Sequence, residues 1–393
     1  MDVFEKCAKI TEQTRRLQEQ GFYFFFRKIE SAQDSEVIVA GKRVIMAGSN
    51  NYLGLTSHPR VKEAAIKAIE KYGSGCAGSR FLNGNLEIHE ELEEKLAKFF
   101  RKEAALTFAT GYQTNLGIIS ALLGRNDTAI IDKYDHASII DGCRLSFGKV
   151  KKFRHNDARD LGRVLEVCEN QGKLIIVDGI FSMEGDIADL PAILKVAKAY
   201  GARVMVDDAH GIGVLGKGGK GTAEHFGLEE EVDLIMGTYS KSLAAIGGFA
   251  AGSAEVIHYI KHVGRSMIFS ASLAPPLVAT VSTALDIIEQ EPQLREQLWR
   301  NTHKMLQGYR SLGFDTGNSV TPIIPIIIKD STKTYQMCSL LFEYGVFVNA
   351  VVSPAVPPGR ELLRTSCMAT HTEEQLDRVL GAFEKAGKQL GVI

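Results

Sequence analysis

The chain has 393 residues, of which 45% are hydrophobic and 24% are charged. This balance is typical of a globular protein large enough for two or three domains, and it excludes a disordered chain. Lysine and arginine number 46 against 47 acidic residues, and a net charge of −1 argues against a surface that gathers nucleic acid.

The first 54 residues are predicted to form an N-terminal arm. They include an aromatic run at residues 22–26 (FYFFF), which is followed by Arg27 and Lys28. Packing of this run against the body of the protein or a partner subunit is the ordinary interpretation. Weak peripheral contact with a membrane is the alternative, since no apolar run approaches the roughly 18 residues that a spanning helix needs.

The middle of the chain alternates between two patterns. Residues 190–200 (LPAILKVAKAY) place Ile193, Val196 and Ala197 on one helical face. Between such helical segments, short apolar runs predict buried strands at residues 104–109, 128–131, 173–177, 203–206, 234–236 and 248–251. Strands that alternate with helices predict an α/β domain with a mainly parallel sheet, covered on both faces.

After Pro275 the sequence pattern changes to one that predicts longer helices, with one further strand-like run at residues 323–328. Thr372 and Gln375 fit a capping box that opens a C-terminal amphipathic helix. The predicted domains are therefore an arm at 1–54, a large α/β domain at 55–285 and a smaller C-terminal α+β domain at 286–393.

Two strand ends carry candidate catalytic groups. The run ending at Asp207 delivers Asp207, Asp208 and His210, and the next strand leads to Thr238, Ser240 and Lys241. Open α/β sheets bind their ligands at this kind of strand end. An amine, an acid and small hydroxyl groups are the types that hold pyridoxal 5'-phosphate (PLP), its ring nitrogen and its phosphate.

Two further segments fit the same cofactor. Residues 110–115 (TGYQTN) follow a strand and begin a helix, where free backbone N–H groups form an anion cradle and Gly111 allows close approach. An ordinary strand-to-helix turn is the alternative interpretation. His136 also follows a strand, and its flat ring is suited to stack on a pyridine ring. No metal-ligand cluster is predicted.

The chain resembles the α-oxoamine synthases, which are fold-type I PLP-dependent transferases with an aminotransferase-like fold. Five motifs carry the resemblance in order, at residues 49–55 (SNNYLGL), 135–142 (DHASIIDG), 181–186 (FSMEGD), 207–211 (DDAHG) and 237–241 (GTYSK). The similarity extends from about Gly21 to Leu390. Five motifs in the family order make a chance match a poor explanation.

The resemblance implies a role for each matching residue. Lys241 would hold PLP covalently and later move the Cα proton, with His136 stacked on the ring and Asp207 paired with the ring nitrogen. The remaining cofactor contacts would come from Ser182 and His210 near the phenolic oxygen, from Gly111, Tyr112, Thr238 and Ser240 at the phosphate, and from Ser270 at the phosphate of the partner subunit. Asn50 and Arg364 would hold the amino-acid carboxylate.

Within the family, residues 76–84, 345–349 and 351–357 most resemble the members that join L-serine to palmitoyl-CoA with loss of CO2. Members that use glycine with acetyl-CoA, or alanine with pimeloyl-CoA, are the alternatives. A non-catalytic PLP-binding regulatory module is an alternative of another class. The resemblance also implies a homodimer with shared active sites, and six scattered cysteines predict reduced thiols in the cytoplasm.

Overall fold

The computed structural model describes residues 2–169 and 172–393. Its strands are β1 (Glu36–Val39), β2 (Lys42–Met46), β3 (Ala104–Phe108), β4 (Asp127–Asp132), β5 (Lys149–Phe153), β6 (Gly172–Asp178), β7 (Arg203–Asp207), β8 (Leu234–Thr238), β9 (Gly248–Gly252), β10 (Ile323–Ile327), β11 (Val346–Phe347), β12 (Asn349–Val351) and β13 (Leu362–Ser366). Its helices are α1 (Glu5–Glu19), α2 (Pro59–Tyr72), α3 (Glu87–Phe100), α4 (Gly111–Leu122), α5 (Ala137–Leu145), α6 (Ala158–Glu166), α7 (Leu190–Ala199), α8 (Thr222–Phe226), α9 (Ala254–Val263), α10 (Arg265–Ile268), α11 (Pro275–Gln290), α12 (Pro292–Ser311), α13 (Ser331–Glu343) and α14 (Glu373–Leu390), with a 3-10 turn at Leu55–Ser57.

A mainly parallel sheet forms the centre of the unit at residues 50–298. Its strand order is β3-β9-β8-β7-β6-β4-β5, and β9 runs antiparallel to both of its neighbours. The predicted parallel sheet is therefore confirmed. The prediction missed β5, an edge strand in which Phe153 is the buried residue and three lysines give the run a polar character.

Apolar side chains from one face of the sheet and from the helices that cover this face form a continuous core. Helices α4 and α5 present the apolar faces that pack against the strands, with Leu106, Phe108, Ile118, Ile119, Ile139, Cys143, Met205 and Met236 among the buried members. Each fully buried aliphatic side chain contributes about 1.5–3 kcal/mol. The core holds the strand ends, and hence the site, in a fixed arrangement.

The second unit combines both ends of the chain, residues 1–49 and 299–393. In it β1 pairs with β2, and β2 pairs in parallel with β11, while β10, β13 and β12 form an antiparallel sheet. Helix α14 begins with the predicted capping box, in which Thr372 Oγ1 accepts from the Gln375 N–H at 3.2 Å.

These units differ from the predicted domain boundaries at 54 and 285. Residues 1–49 join the C-terminal unit because β2 hydrogen-bonds to β11, a pairing about 300 residues apart that no local pattern reveals. In the aromatic run, Phe22 and Phe24 pack against Tyr335, whereas Phe26 is 92% exposed. Among the described residues, no helix is long and apolar enough to cross a membrane.

Candidate active site

A pocket opens where four neighbouring parallel strands end. The strands β4, β6, β7 and β8 finish at Asp132, Asp178, Asp207 and Thr238, and their shared direction brings these ends to one edge of the sheet. The pocket, together with the open solvent at its mouth, comprises about 350 Å³ of atom-free space. Its lining is Gly111, Tyr112, Asn115, His136, Ser138, Asp178, Ile180, Ser182, Asp207, Ala209, His210, Met236, Thr238 and Lys241.

The predicted acid and amine meet in this pocket. Asp207 is 4% exposed, and its two oxygens accept hydrogen bonds from Asn115 Nδ2 at 2.7 Å and from the Ala209 N–H at 3.1 Å. Lys241 donates from Nζ to Thr238 Oγ1 at 3.2 Å. The arrangement supplies a fixed buried carboxylate and an amine that lines the same pocket.

Helix α4 begins at the pocket with a geometry suited to an anion. Thr110 caps the helix by accepting from the Gln113 N–H at 3.1 Å, and Gly111 is the first helical residue. A Cβ at Gly111 would lie 2.2 Å from Thr238 Cγ2, so the close approach requires glycine. The helix start therefore leaves a cradle in which a phosphate can contact backbone N–H groups.

His136 lines the pocket as the residue that caps α5. Its Nδ1 accepts from the Ser138 N–H at 3.3 Å and lies 2.8 Å from the Ser138 hydroxyl. Burial lowers the pKa of His136, and Lys241 lowers it further while Asp207 raises it. The net lowering favours an uncharged imidazole at neutral pH, which suits a ring that stacks on a ligand.

Two buried polar atoms of the pocket have no hydrogen-bond partner among the residues that the structure describes. They are Asp178 Oδ1 and Asn115 Oδ1. Burial raises the pKa of Asp178 well above its usual range, and Asp207 and Asp135 raise it further. Buried polar atoms are normally paired, so these two atoms indicate a site built for a polar ligand.

The structure brings together most of the predicted site residues. Those that line the pocket are Gly111, Tyr112, His136, Ser182, Asp207, His210, Thr238 and Lys241. Four others do not line it. Ser240 is exposed, Ser270 Oγ accepts from Gln113 Nε2 at 2.8 Å, Asn50 Oδ1 accepts from the Tyr52 hydroxyl at 3.4 Å, and Arg364 is a buried residue of β13 in the other unit.

Several pocket residues were not predicted from the sequence. Asn115 lies one turn after Gly111 on α4, and Asp178 ends β6 as Asp207 ends β7, so helical spacing and the strand-end rule could have identified both. Tyr52 does not line the pocket, but its hydroxyl lies 2.7 Å from Nδ1 of the pocket residue His210. Strand ends and helical spacing could not predict this contact, because the two residues are 158 positions apart in the sequence.

A larger groove lies at the opposite edge of the same sheet and, together with the open solvent at its mouth, comprises about 1450 Å³ of atom-free space. Its charged side chains have partners nearby: Arg203 pairs with Asp233 at 2.7 Å, and Lys102 donates to the carbonyls of Glu229 and Val232. The catalytic residue types lie at the other edge. We therefore assign the candidate active site to the smaller pocket.

Comparison with known proteins decides the family. Residues 42–383 match the family model for aminotransferase class I and II. The chain belongs to the aminotransferase class I and II family. The aminotransferase-like fold and the resemblance to α-oxoamine synthases are thereby confirmed.

Individual members of the family are similar over nearly the whole chain. A serine palmitoyltransferase from Sphingobacterium spiritivorum is 54% identical, covering 95% of this chain and 94% of its own. An 8-amino-7-oxononanoate synthase from Thermoanaerobacter pseudethanolicus is 47% identical over 98% of each chain. A solved serine palmitoyltransferase from S. paucimobilis, with PLP and myriocin bound, matches with a TM-score of 0.97 and 37% identity over 100% of both chains.

Proposed function

We propose that this member of the family is a PLP-dependent serine palmitoyltransferase. It condenses L-serine with palmitoyl-CoA and releases 3-ketosphinganine, CoA and CO2, the first step of sphingolipid synthesis. The observation that carries the proposal is the meeting of Asp207 and Lys241 in one pocket beside the cradle at Gly111. The identity of 54% to a serine palmitoyltransferase supports the choice of substrates.

The pocket residues fit PLP. The start of α4, with Gly111 and Tyr112, and the hydroxyl of Thr238 would hold the phosphate. Ser240 is exposed outside the pocket, and its proposed contact with the phosphate rests on the resemblance alone. Asp207 would pair with the ring nitrogen, His136 would lie on the ring face, and Lys241 would bind the aldehyde carbon. The unpartnered Asp178 Oδ1 and Asn115 Oδ1 fit a ligand with polar ring substituents. Ser182 and His210 would lie near the phenolic oxygen.

When bound, PLP supplies an electron sink that stabilises negative charge on the amino-acid Cα. The residues of the chain then move protons and hold groups. Lys241 Nζ, released from the aldehyde carbon when the amino group of serine takes its place, would take the Cα proton of serine. Cα would form a bond to the thioester carbonyl carbon as CoA leaves, the serine carboxylate would depart as CO2, and a proton would return to Cα from Lys241 or His136.

Two residues are assigned to the serine carboxylate. Arg364 carries a guanidinium whose fork meets a carboxylate with two parallel hydrogen bonds. Asn50 offers an amide, and its neighbour Tyr52 connects it to His210 by contacts of 3.4 Å and 2.7 Å. Until the acyl donor arrives, the contacts of Arg364 and Asn50 with the serine carboxylate would keep that group in place and prevent its early loss as CO2.

A homodimer and a cytoplasmic location belong to the same proposal. Phe81, Leu82 and Phe269 are 52%, 79% and 77% exposed, and such apolar side chains favour cover by a second subunit. Ser270, next to Phe269, would then approach the partner's phosphate site. A long acyl substrate gives the protein a reason for weak contact with the inner face of the membrane, through the exposed Phe25 and Phe26.

The nearest alternative keeps the chemistry and changes the substrates. The 47% identity to an 8-amino-7-oxononanoate synthase favours alanine with pimeloyl-CoA as the second candidate. Serine, glycine and alanine are to be added in turn to the purified yellow enzyme while its absorption spectrum is recorded. A response to alanine or glycine but not to serine would reject serine as the substrate.

Two further measurements test the proposal. Product mass analysis with serine and a ladder of acyl-CoA lengths is expected to show the long-chain 3-keto product with palmitoyl-CoA as the preferred donor. Lys241→Ala is expected to bind PLP without a covalent bond and to lose turnover. If Lys241→Ala kept full turnover and covalent PLP, the assignment of Lys241 would be wrong.

A further inference from the structure

His155 lies outside the pocket and contacts two carboxylates with its two ring nitrogens. Nδ1 is 3.0 Å from Asp132 Oδ1, and Nε2 is 3.0 Å from Asp186 Oδ2. The side chains of His155, Asp132 and Asp186 are 20%, 1% and 12% exposed. Each ring nitrogen can donate to its carboxylate oxygen only if both nitrogens carry protons, so this histidine is an imidazolium bridge.

Each carboxylate belongs to a short chain segment that contains a pocket residue, which is His136 for Asp132 and Ser182 for Asp186. Asp132 is the last residue of β4, and its Oδ1 accepts from the Tyr134 N–H at 2.8 Å, two residues before His136. Asp186 closes the tight turn that contains Ser182, where the Phe181 N–H donates to the Asp186 carbonyl at 3.1 Å. His155 thus joins the segment of His136 to the segment of Ser182.

The ring of His155 also packs between the same two segments. Its centroid lies 4.6 Å from that of Tyr134, and the edge contact with Phe181 measures 4.4 Å. Burial lowers the pKa of His155, but the hydrogen bonds to Asp132 and Asp186 outweigh it and raise the pKa to about 10. The bridge therefore keeps its charge throughout the physiological range.

Asn156 reinforces the attachment by its own bonds. Its backbone N–H donates to Asp132 Oδ2 at 2.7 Å, and its Nδ2 donates to the Ile187 carbonyl at 2.9 Å. These bonds remain when only the His155 side chain is changed. A variant at His155 can therefore loosen the two segments without detaching them.

We propose that His155 is a positioning residue of the reaction, which holds Ser182 and His136 in register around the bound cofactor by bridging Asp132 and Asp186. This role rests on the proposed function, because Ser182 and His136 act there on PLP. Mutation of the residues that orient metal ligands typically changes affinity or activity by about 10- to 100-fold, and we expect an effect of the same order for a residue that orients cofactor contacts. Neither Asp132 nor Asp186 needs to touch a ligand for this role.

The test compares His155→Gln and Asp186→Asn with the wild type as PLP-loaded enzymes. Each variant is expected to lower kcat by about 10-fold or more, with little change in KM for palmitoyl-CoA, and to shift the absorption and fluorescence of the bound cofactor. Arg154→Gln is the matched control, since Arg154 is exposed and pairs with Asp157 and Asp160. It is expected to leave the spectrum and kcat unchanged.

A double variant separates positioning from a merely structural role. If His155 acts through Ser182, His155→Gln should cost far less in a Ser182→Ala background than in the wild type. Equal costs in both backgrounds, or a cofactor spectrum in His155→Gln and Asp186→Asn identical to that of Arg154→Gln, would overturn the inference. A wild-type enzyme that makes no product from serine would instead reject the proposed function, while the cofactor spectra would still test the bridge.

Discussion

Gly111→Ala should close the phosphate cradle. Replacing glycine by alanine inside a helix normally stabilises it by about 0.5–1 kcal/mol. Here the new Cβ would lie 2.2 Å from Thr238 Cγ2 and 2.9 Å from Thr238 Cβ. Ordinary contact begins near 3.4 Å, so the Thr238 side chain must retreat by about 1.2 Å. The unfavourable contact therefore outweighs the gain in helix propensity.

The expected loss comes from the crowded contact at Thr238. Overpacking of this kind costs about 1–3 kcal/mol; the free protein relieves it by moving Thr238 away, and PLP binding requires Thr238 to return to the phosphate. A cost of about 1–3 kcal/mol corresponds to roughly 5- to 150-fold weaker PLP binding. Titration of the apoprotein with PLP, followed by absorption, measures the dissociation constant directly.

Two variants keep this prediction refutable. Gly162→Ala is the matched control, because its Cβ would meet nothing closer than Val196 Cγ1 at 3.9 Å, and PLP affinity should not change. Adding Thr238→Ser to Gly111→Ala removes the clashing methyl group and should recover much of the affinity. If Gly111→Ala bound PLP within threefold of the wild type, the cradle would not depend on this contact.

Three further predictions concern stability. Arg80→Met should lower the free energy of unfolding by about 3–5 kcal/mol, because it removes the hydrogen bonds of 2.7 Å and 2.9 Å that the buried Glu93 carboxylate accepts from Arg80. Urea denaturation measures this loss, and a value below about 1 kcal/mol would contradict the prediction. Burial raises the pKa of Asp208 to about 7, so the folded state keeps this carboxyl protonated where the unfolded chain ionises it. The resulting stabilisation is fully present below about pH 4 and is lost as the pH rises to about 7. Between about pH 5 and 8 the free energy of unfolding of the wild type should therefore fall by roughly 2–3 kcal/mol relative to that of Asp208→Asn, and a pH-independent difference would count against this pKa. Gly381→Ala, in α14 with no atom within 4 Å of the added Cβ, should stabilise by about 0.5–1 kcal/mol, seen as a raised Tm; an unchanged or lowered Tm would contradict it.

Local sequence determined the elements and the chemistry at their ends. The runs that became β3, β6, β7 and β8 were recognisable because buried parallel strands are short, apolar and bounded by polar or small residues. Asp207 and Lys241 could be predicted as site residues because Asp207 ends one such strand and Lys241 follows the end of another. The polar edge strand β5 was missed because exposure removes the apolar signal.

Tertiary structure alone decided which of these ends meet and what holds them. The strand order places β6 beside β7, so that Asp178 and Asp207 lie in register at one edge, and nothing near Asp178 in the sequence specifies that neighbour. The contact of Tyr52 with His210 and the bridge of His155 to Asp186 join residues 158 and 31 positions apart. Such contacts depend on the packing of whole elements, whereas a sequence pattern reports only the burial and conformation of its own residues.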